Sequence, residues 1–259
     1  MNARPLLSGL GGIGLFLGLW QLIIGSGLIE YDFLPSPWAI LGGLWAMLGD
    51  REFYEEALHT LAATLGGWVI AVVLGVGLGA LLGSSTTCRR YSLASVEVLR
   101  PLPAVAFVPL ALLLFGFSLQ MELLVIVAPA LWPSLINTME GFAGVPQRLS
   151  DVAASFRLSP IERLLRIDLP AAAPSVLVGL RLSLSLALVM SVVAEMVGNP
   201  QGLGYGLVRE QQALNPERMF GYVLVIGLVG VCLNAILVMA SGWILPGQFR
   251  RPQAGWDTP

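Results

Sequence analysis

Apolar residues fall in six long blocks separated by polar segments. The blocks run near Leu6–Ile29, Leu61–Gly83, Leu99–Phe117, Leu119–Thr138, Ala172–Val197 and Phe220–Leu245. A helix needs about 20 apolar residues to cross a hydrocarbon core of about 30 Å. The pattern therefore predicts an all-α integral membrane protein of about six transmembrane helices, forming one domain over residues 1–259. The third block is short and interrupted by Pro101, Pro103 and Pro109. Such breaks survive in a bilayer only where neighbouring helices or a wet cavity satisfy the freed backbone groups. The first block exceeds the apolar run of about 7–15 residues in a cleaved signal, so it is read as a retained span.

Two blocks carry small residues at a spacing of four: Gly67, Ala71, Gly75, Gly79 and Gly83 in the second, and Gly179, Ser183, Ala187 and Ser191 in the fifth. On a helix each set shares one face and lets another backbone approach closely, so both are read as packing seams. A second face of the fifth block holds Arg181, Ser185, Leu188, Val192 and Glu195. An ionisable residue inside a bilayer is expensive and faces a cavity or an opposite charge. Arg181, Ser185 and Glu195 are thus candidates for a solute pathway. The alternatives are that Arg181 snorkels to the interface and that Glu195, near the block's end, is simply hydrated. Glu97 and Arg100, three residues apart at the entrance to the third block, read as a local ion pair.

The longest polar segment, within residues 142–171, lies between the fourth and fifth blocks. Ser150 can cap a short helix beginning at Asp151, whose carboxylate suits a positive helix end. Ser159-Pro160-Ile161-Glu162 reads as a capping box with proline in the first turn of a second helix. A bend is expected between Arg157 and Ser159, and the second helix should stop before Pro170. Val152 and Phe156 would lie on one apolar side of the first helix. Either a partner covers that side, or the helix lies flat in the membrane interface.

Composition removes the soluble alternatives. Hydrophobic residues make up 56% and charged residues 12% of the chain, about half the roughly 25% charge of a soluble domain. All 14 basic residues are arginine, and with the N-terminus inside, nine of them fall on cytoplasmic segments against Arg51, Arg209 and Arg218 outside. The bias orients the chain with both termini in the cytoplasm. A net charge of −2 and the lack of a basic stripe give no sign of nucleic acid as a partner. Cys88 and Cys232 fit no metal or redox spacing, and the lone His59 excludes a histidine-cluster metal site.

The polar segment resembles the Glu-Ala-Ala loop of binding-protein-dependent ATP-binding-cassette importer permeases. Ile167-Asp168-Leu169-Pro170 matches the end of that motif, which sets Asp151, Val152 and Ala153 at the Glu-Ala-Ala positions and Arg157 where the family has glycine. FLPSP (33–37), LGVGLGALLG (74–83), LRPLPAVAFVPL (99–110), NTMEG (137–141), GLRLSLSLALVMSVVAEM (179–196) and GLGYGL (202–207) resemble, in order, the nitrate/sulfonate/taurine-type branch. The resemblance implies a type I-like importer permease fold in a bacterial inner membrane, with a second copy of the chain as partner. It also implies two cytoplasmic ATPase subunits holding ATP and magnesium, an outer solute-binding protein, and no cofactor on this chain. By the same resemblance Asp151, Val152, Ala153, Phe156 and Arg157 would contact the ATPase, and Leu169 and Pro170 would fix the return into the bilayer. The solute would be a small anion such as a sulfonate, taurine or nitrate. No GxxxxGK[ST] phosphate loop is present, which agrees with ATP chemistry lying elsewhere. An ion-coupled secondary transporter is the alternative; it would more often show further spans or an inverted repeat, and no convincing repeat is evident.

Overall fold

The computed structural model describes residues 4–26, 33–99 and 103–244, with side chains from residue 11 to residue 242. Among these, all regular structure is helical. The chain runs through α1 (Arg4–Gly25), α2 (Pro37–Met47), α3 (Arg51–Gly83), α4 (Thr86–Leu99), a 3₁₀ turn (Ala104–Ala106), α5 (Phe107–Phe115) and α6 (Leu119–Ala143). It continues through α7 (Gln147–Ser155), α8 (Pro160–Arg163), a π-helical turn (Leu164–Asp168), α9 (Leu169–Gly198), α10 (Leu203–Gln212) and α11 (Pro216–Ile244).

Four helical runs are long and apolar enough to span a membrane: Arg51–Gly83, Leu119–Ala143, Pro160–Gly198 and Pro216–Gly242. The expected third span is a broken one, with α4 and the Ala104–Phe115 helix inclined by 68° to each other. Counting that pair gives up to five spans. The sixth, the first block, is represented by the shorter apolar helix Gly11–Gly25, and its expected end at Gly27–Ile29 lies outside the described residues. Arg100, with the expected Glu97–Arg100 pair, lies outside them too. The short helix α2 went unpredicted; Ser36 caps it by accepting from the Ala39 N–H, with Pro37 in its first turn.

The core is a three-helix sandwich in which α6 lies between α3 and α9, and the small-residue seams make it. A methyl group on Gly75 would lie 2.7 Å from Ser134 Cβ and 3.0 Å from the Leu131 carbonyl. One on Gly83 would lie 2.7 Å from the Met139 carbonyl. Residue numbers rise together along this contact, so α3 and α6 run parallel. Along the other seam Gly179 meets Pro133, the Ser183 hydroxyl donates to the Ala130 carbonyl (2.6 Å) and Gly198 meets Met121, so α9 runs antiparallel to α6. Two parallel spans in sequence require a return crossing between them, and the broken α4–α5 segment supplies it. Ala63, Ala71, Val108, Ile126, Ala130, Ala187 and Ala194 fill the centre of the packed core. None of the apolar window of α11 is buried within the chain, which leaves a large apolar surface for lipid or a partner.

Candidate functional site

The polar hairpin between α6 and α9 is tied together by its own hydrogen bonds. Helix α7 begins after Pro146, four residues before the expected start, and Ser150 does not cap it. Its hydroxyl instead accepts from Arg163 Nη2 (2.8 Å), while Arg163 Nε donates to Asp168 Oδ2 (3.2 Å), bracing α7 against the π turn. At the end of α7 the Leu158 N–H donates to the Ala153 carbonyl (3.1 Å) and the Arg157 N–H to that of Ala154 (3.0 Å). This is a Schellman motif, with the left-handed position taken by Arg157 at φ 47°. The bend thus sits at the position that the resemblance aligns with glycine, although an arginine there costs about 1–2 kcal/mol. Ser159 and Glu162 form the expected capping box: the Ser159 N–H donates to Glu162 Oε2 (3.0 Å) and the Glu162 N–H to Ser159 Oγ (3.3 Å).

The second short helix does not stop before Pro170. It widens into the π turn and continues as α9, with Pro170 in the first turn of the new segment. A proline ring collides with the carbonyl four residues back in a regular α-helix, and the wider turn before it relieves that crowding. Leu169 packs beside Phe142, Ala172 and Val176. Of the expected contact residues, Ala153 is buried, whereas Asp151, Val152, Phe156 and Arg157 are exposed. Phe156 is 75% exposed and Ile161 68%. The hairpin therefore presents apolar side chains that no described residue covers.

The expected face Arg181–Ser185–Glu195 divides into two places. Arg181 and Ser185 line a groove of about 490 Å³ between α9 and α11, with Leu182, Gly227, Gly230 and Asn234. Arg181 Nε donates to Asn234 Oδ1 (3.3 Å), and the Ser185 hydroxyl donates to the Arg181 carbonyl (3.2 Å). Glu195 is not in this groove. It is 1% exposed near the far end of α9 and is held by three elements. Thr60 Oγ1 (2.9 Å) and the Gly204 N–H (2.8 Å) donate to its Oε2, and Ser191 Oγ (3.2 Å) donates to its Oε1. Thr60 in turn accepts the Leu203 N–H at 2.8 Å.

Around this latch lies a polar belt that sequence reasoning missed. His59 Nε2 lies 3.1 Å from both oxygens of the fully buried Glu122, which also accepts from Asn199 Nδ2. Tyr222 donates to Glu56 Oε2 (2.5 Å), and Arg209 donates to Glu56 Oε1 (2.9 Å) and pairs with Glu52. Arg218 pairs with Asp50. Burial pulls the Arg209 pKa down, but Glu56, Tyr222, Glu52 and Glu210 raise it by more, leaving the guanidinium above its ordinary range. The glycines of GLGYGL make the belt possible. Gly202 takes φ 92°, and a side chain on Gly206 would meet the Tyr222 ring at 2.5 Å. His59, Glu122 and Glu195 bring possible metal-ligating atoms within 4.8 Å of one another. Each of the four carboxylate oxygens, however, already has a protein hydrogen-bond partner, so the group reads as a structural latch. The one signal available in the sequence was the cluster of acidic residues before the second block, together with GLGYGL.

Comparison with known proteins bears on the family and the fold. Residues 71–250 match the family described as binding-protein-dependent transport system inner membrane component. A permease protein of Bacillus subtilis (strain 168) assigned to aliphatic sulfonates transport, SsuC, is 31% identical over 83% of this chain and 78% of its own. The nitrate import permease protein NrtB of Leptolyngbya laminosa is 27% identical over 90% of this chain and 85% of its own. The bicarbonate transport system permease protein CmpB of Synechococcus elongatus is 29% identical over 91% of this chain and 88% of its own. Among solved structures, a chain of the MetNI methionine ABC transporter in an inward-facing conformation superposes with a TM-score of 0.60 and 19% identity. That match covers 81% of this chain and 96% of the other.

Proposed function

Because the chain belongs to the family of binding-protein-dependent transport system inner membrane components, we propose that it is driven through the α7–α8 hairpin by a separate ATPase. The single observation that carries this reading is the exposure of the apolar Val152, Phe156 and Ile161 on a braced hairpin. Exposed apolar side chains on a polar hairpin are the kind of surface that a docking partner covers.

In this reading two ATPase subunits, holding ATP and magnesium, grip the hairpins of two copies of this chain. The exposed Asp151, Val152, Phe156 and Arg157 make the contact, buried Ala153 seats the helix, and Leu169 and Pro170 carry its movement into α9. Packed helix interfaces switch between discrete arrangements rather than deforming continuously. Closure of the ATPases therefore rocks the α3–α6–α9 sandwiches between outward-open and inward-open states. Nine arginines against three support a cytoplasmic hairpin and cytoplasmic termini. The polar belt of α10 then faces outward, where a binding protein delivers the solute. The membrane is the bacterial inner membrane.

Phe156→Asp is expected to leave the permease inserted but to uncouple ATP hydrolysis from uptake in vesicles reconstituted with the ATPase and binding protein. Wild-type coupling in that variant, or labelling of an Asp151→Cys variant from the exterior, would refute the assignment.

A further inference from the structure

We propose that Arg181, Asn234 and Ser185 form a mid-membrane subsite for a small oxyanion in transit. The proposal deepens the transport reading and rests on it. Its physical basis is a charge without a counter-charge. Among the described residues no carboxylate lies within ion-pair distance of Arg181; its guanidinium has only the neutral Asn234 carbonyl, through Nε. The carboxylates facing the core at other levels are committed: Glu122 to His59 and Asn199, Glu195 to Thr60, Ser191 and Gly204.

Depth excludes the bland explanation. Gly179, two residues before Arg181, packs on Pro133 and Ser134, and Ser134 packs on Gly75, near the middle of the apolar run of α3. Along α9, Arg181 stands nine residues, about 14 Å at 1.5 Å per residue, from Ala172, where the fifth apolar block begins. An arginine side chain reaches only about half of that distance, so it does not bring its charge to the interface by snorkelling. An unpaired cation at that depth needs water or an anion beside it.

The groove is built to admit one. Its volume of about 490 Å³ is floored by Gly227 and Gly230, which add no side chains. Asn234 Oδ1 accepts from Arg181 Nε and so orients the guanidinium, leaving the Nη groups and the Asn234 amide free to donate. The Ser185 hydroxyl can turn from the Arg181 carbonyl to add a third donor. Planar guanidinium donors match the oxygens of a nitrate, carboxylate or sulfonate group. The named cargoes of the similar permeases — sulfonates, nitrate and bicarbonate — share that one feature.

The test uses the complete complex with its binding protein and ATPase in vesicles, with nitrate, bicarbonate and ethanesulfonate as probes. Arg181→Gln should keep binding-protein-stimulated ATP hydrolysis but lose about tenfold or more in anion uptake per ATP, the scale of one charge-assisted hydrogen bond. Arg181→Lys should recover part of the loss. Asn234→Asp, which sets a fixed carboxylate against the guanidinium, should lose uptake as Arg181→Gln does. Wild-type uptake per ATP in both Arg181→Gln and Asn234→Asp overturns the subsite. Wild-type complex that hydrolyses ATP on binding-protein addition yet carries none of the three anions overturns the substrate class. A phospholipid that co-purifies with wild type but not with Arg181→Gln, with uptake unchanged, assigns the charge to lipid phosphate instead. Absence of any binding-protein-stimulated hydrolysis in the wild type is a different failure, that of the transport reading itself.

Discussion

Replacing Thr60 with valine keeps the shape of a fully buried side chain and removes one hydroxyl. That hydroxyl donates to Glu195 Oε2 at 2.9 Å and accepts the Leu203 N–H at 2.8 Å, joining α3 to α9 and to the start of α10. Valine leaves the Leu203 N–H without an acceptor, at about 1–3 kcal/mol for a buried orphaned group. It also removes one of three donors to a buried carboxylate, worth about 1.5–3 kcal/mol for a bond to a charged group. The Gly204 N–H and Ser191 hydroxyl still hold Glu195, so the latch should loosen without releasing α9. The Leu203 amide reports this most directly. Its hydrogen exchange in lipid nanodiscs should accelerate by about 5- to 150-fold, the equivalent of 1–3 kcal/mol. Thr60→Ser retains the hydroxyl and should stay within a few-fold of wild type. Unchanged exchange at Leu203 and Gly204 in Thr60→Val would mean that the latch does not hold α10, and the account of the outer end would fail.

Two further outcomes follow from the packing and the hairpin. Gly79→Leu should prevent recovery of monodisperse protein after detergent extraction, because a Cβ there would lie 2.7 Å from Thr138 Cβ. Gly77→Leu, with nothing within 4 Å, is the control, and equal recovery of the two would contradict the α3–α6 contact. Arg157→Gly should relieve the left-handed strain at φ 47°, slowing exchange of the Leu158 amide by about fivefold if about 1 kcal/mol is gained; faster exchange would show that the arginine side chain itself stabilises the turn.

Much of this protein was legible without coordinates, for two physical reasons. A bilayer admits few backbone structures, so blocks of apolar residues at spanning length announce helices. Local chemistry behaves in the same way. The Ser159–Glu162 capping box and the small-residue seams are fixed by spacings of three and four along one helix, and both occur as expected. The start of α7, the run of α9 through Pro170 and the left-handed Arg157 were not legible. Each depends on a competition between alternative hydrogen bonds or turns that a single segment leaves undecided.

Only the tertiary structure decided which charges meet. Glu122 and His59 are 63 residues apart, and Thr60 and Glu195 are 135 apart. Helical periodicity put Arg181 and Glu195 on one face. Packing gave Glu195 to the α3–α9–α10 latch and left Arg181 in a groove against Asn234, 53 residues away. Partner choice for a buried charge is set by which helices pack together and at what level. Sequence spacing within one helix carries no information about either.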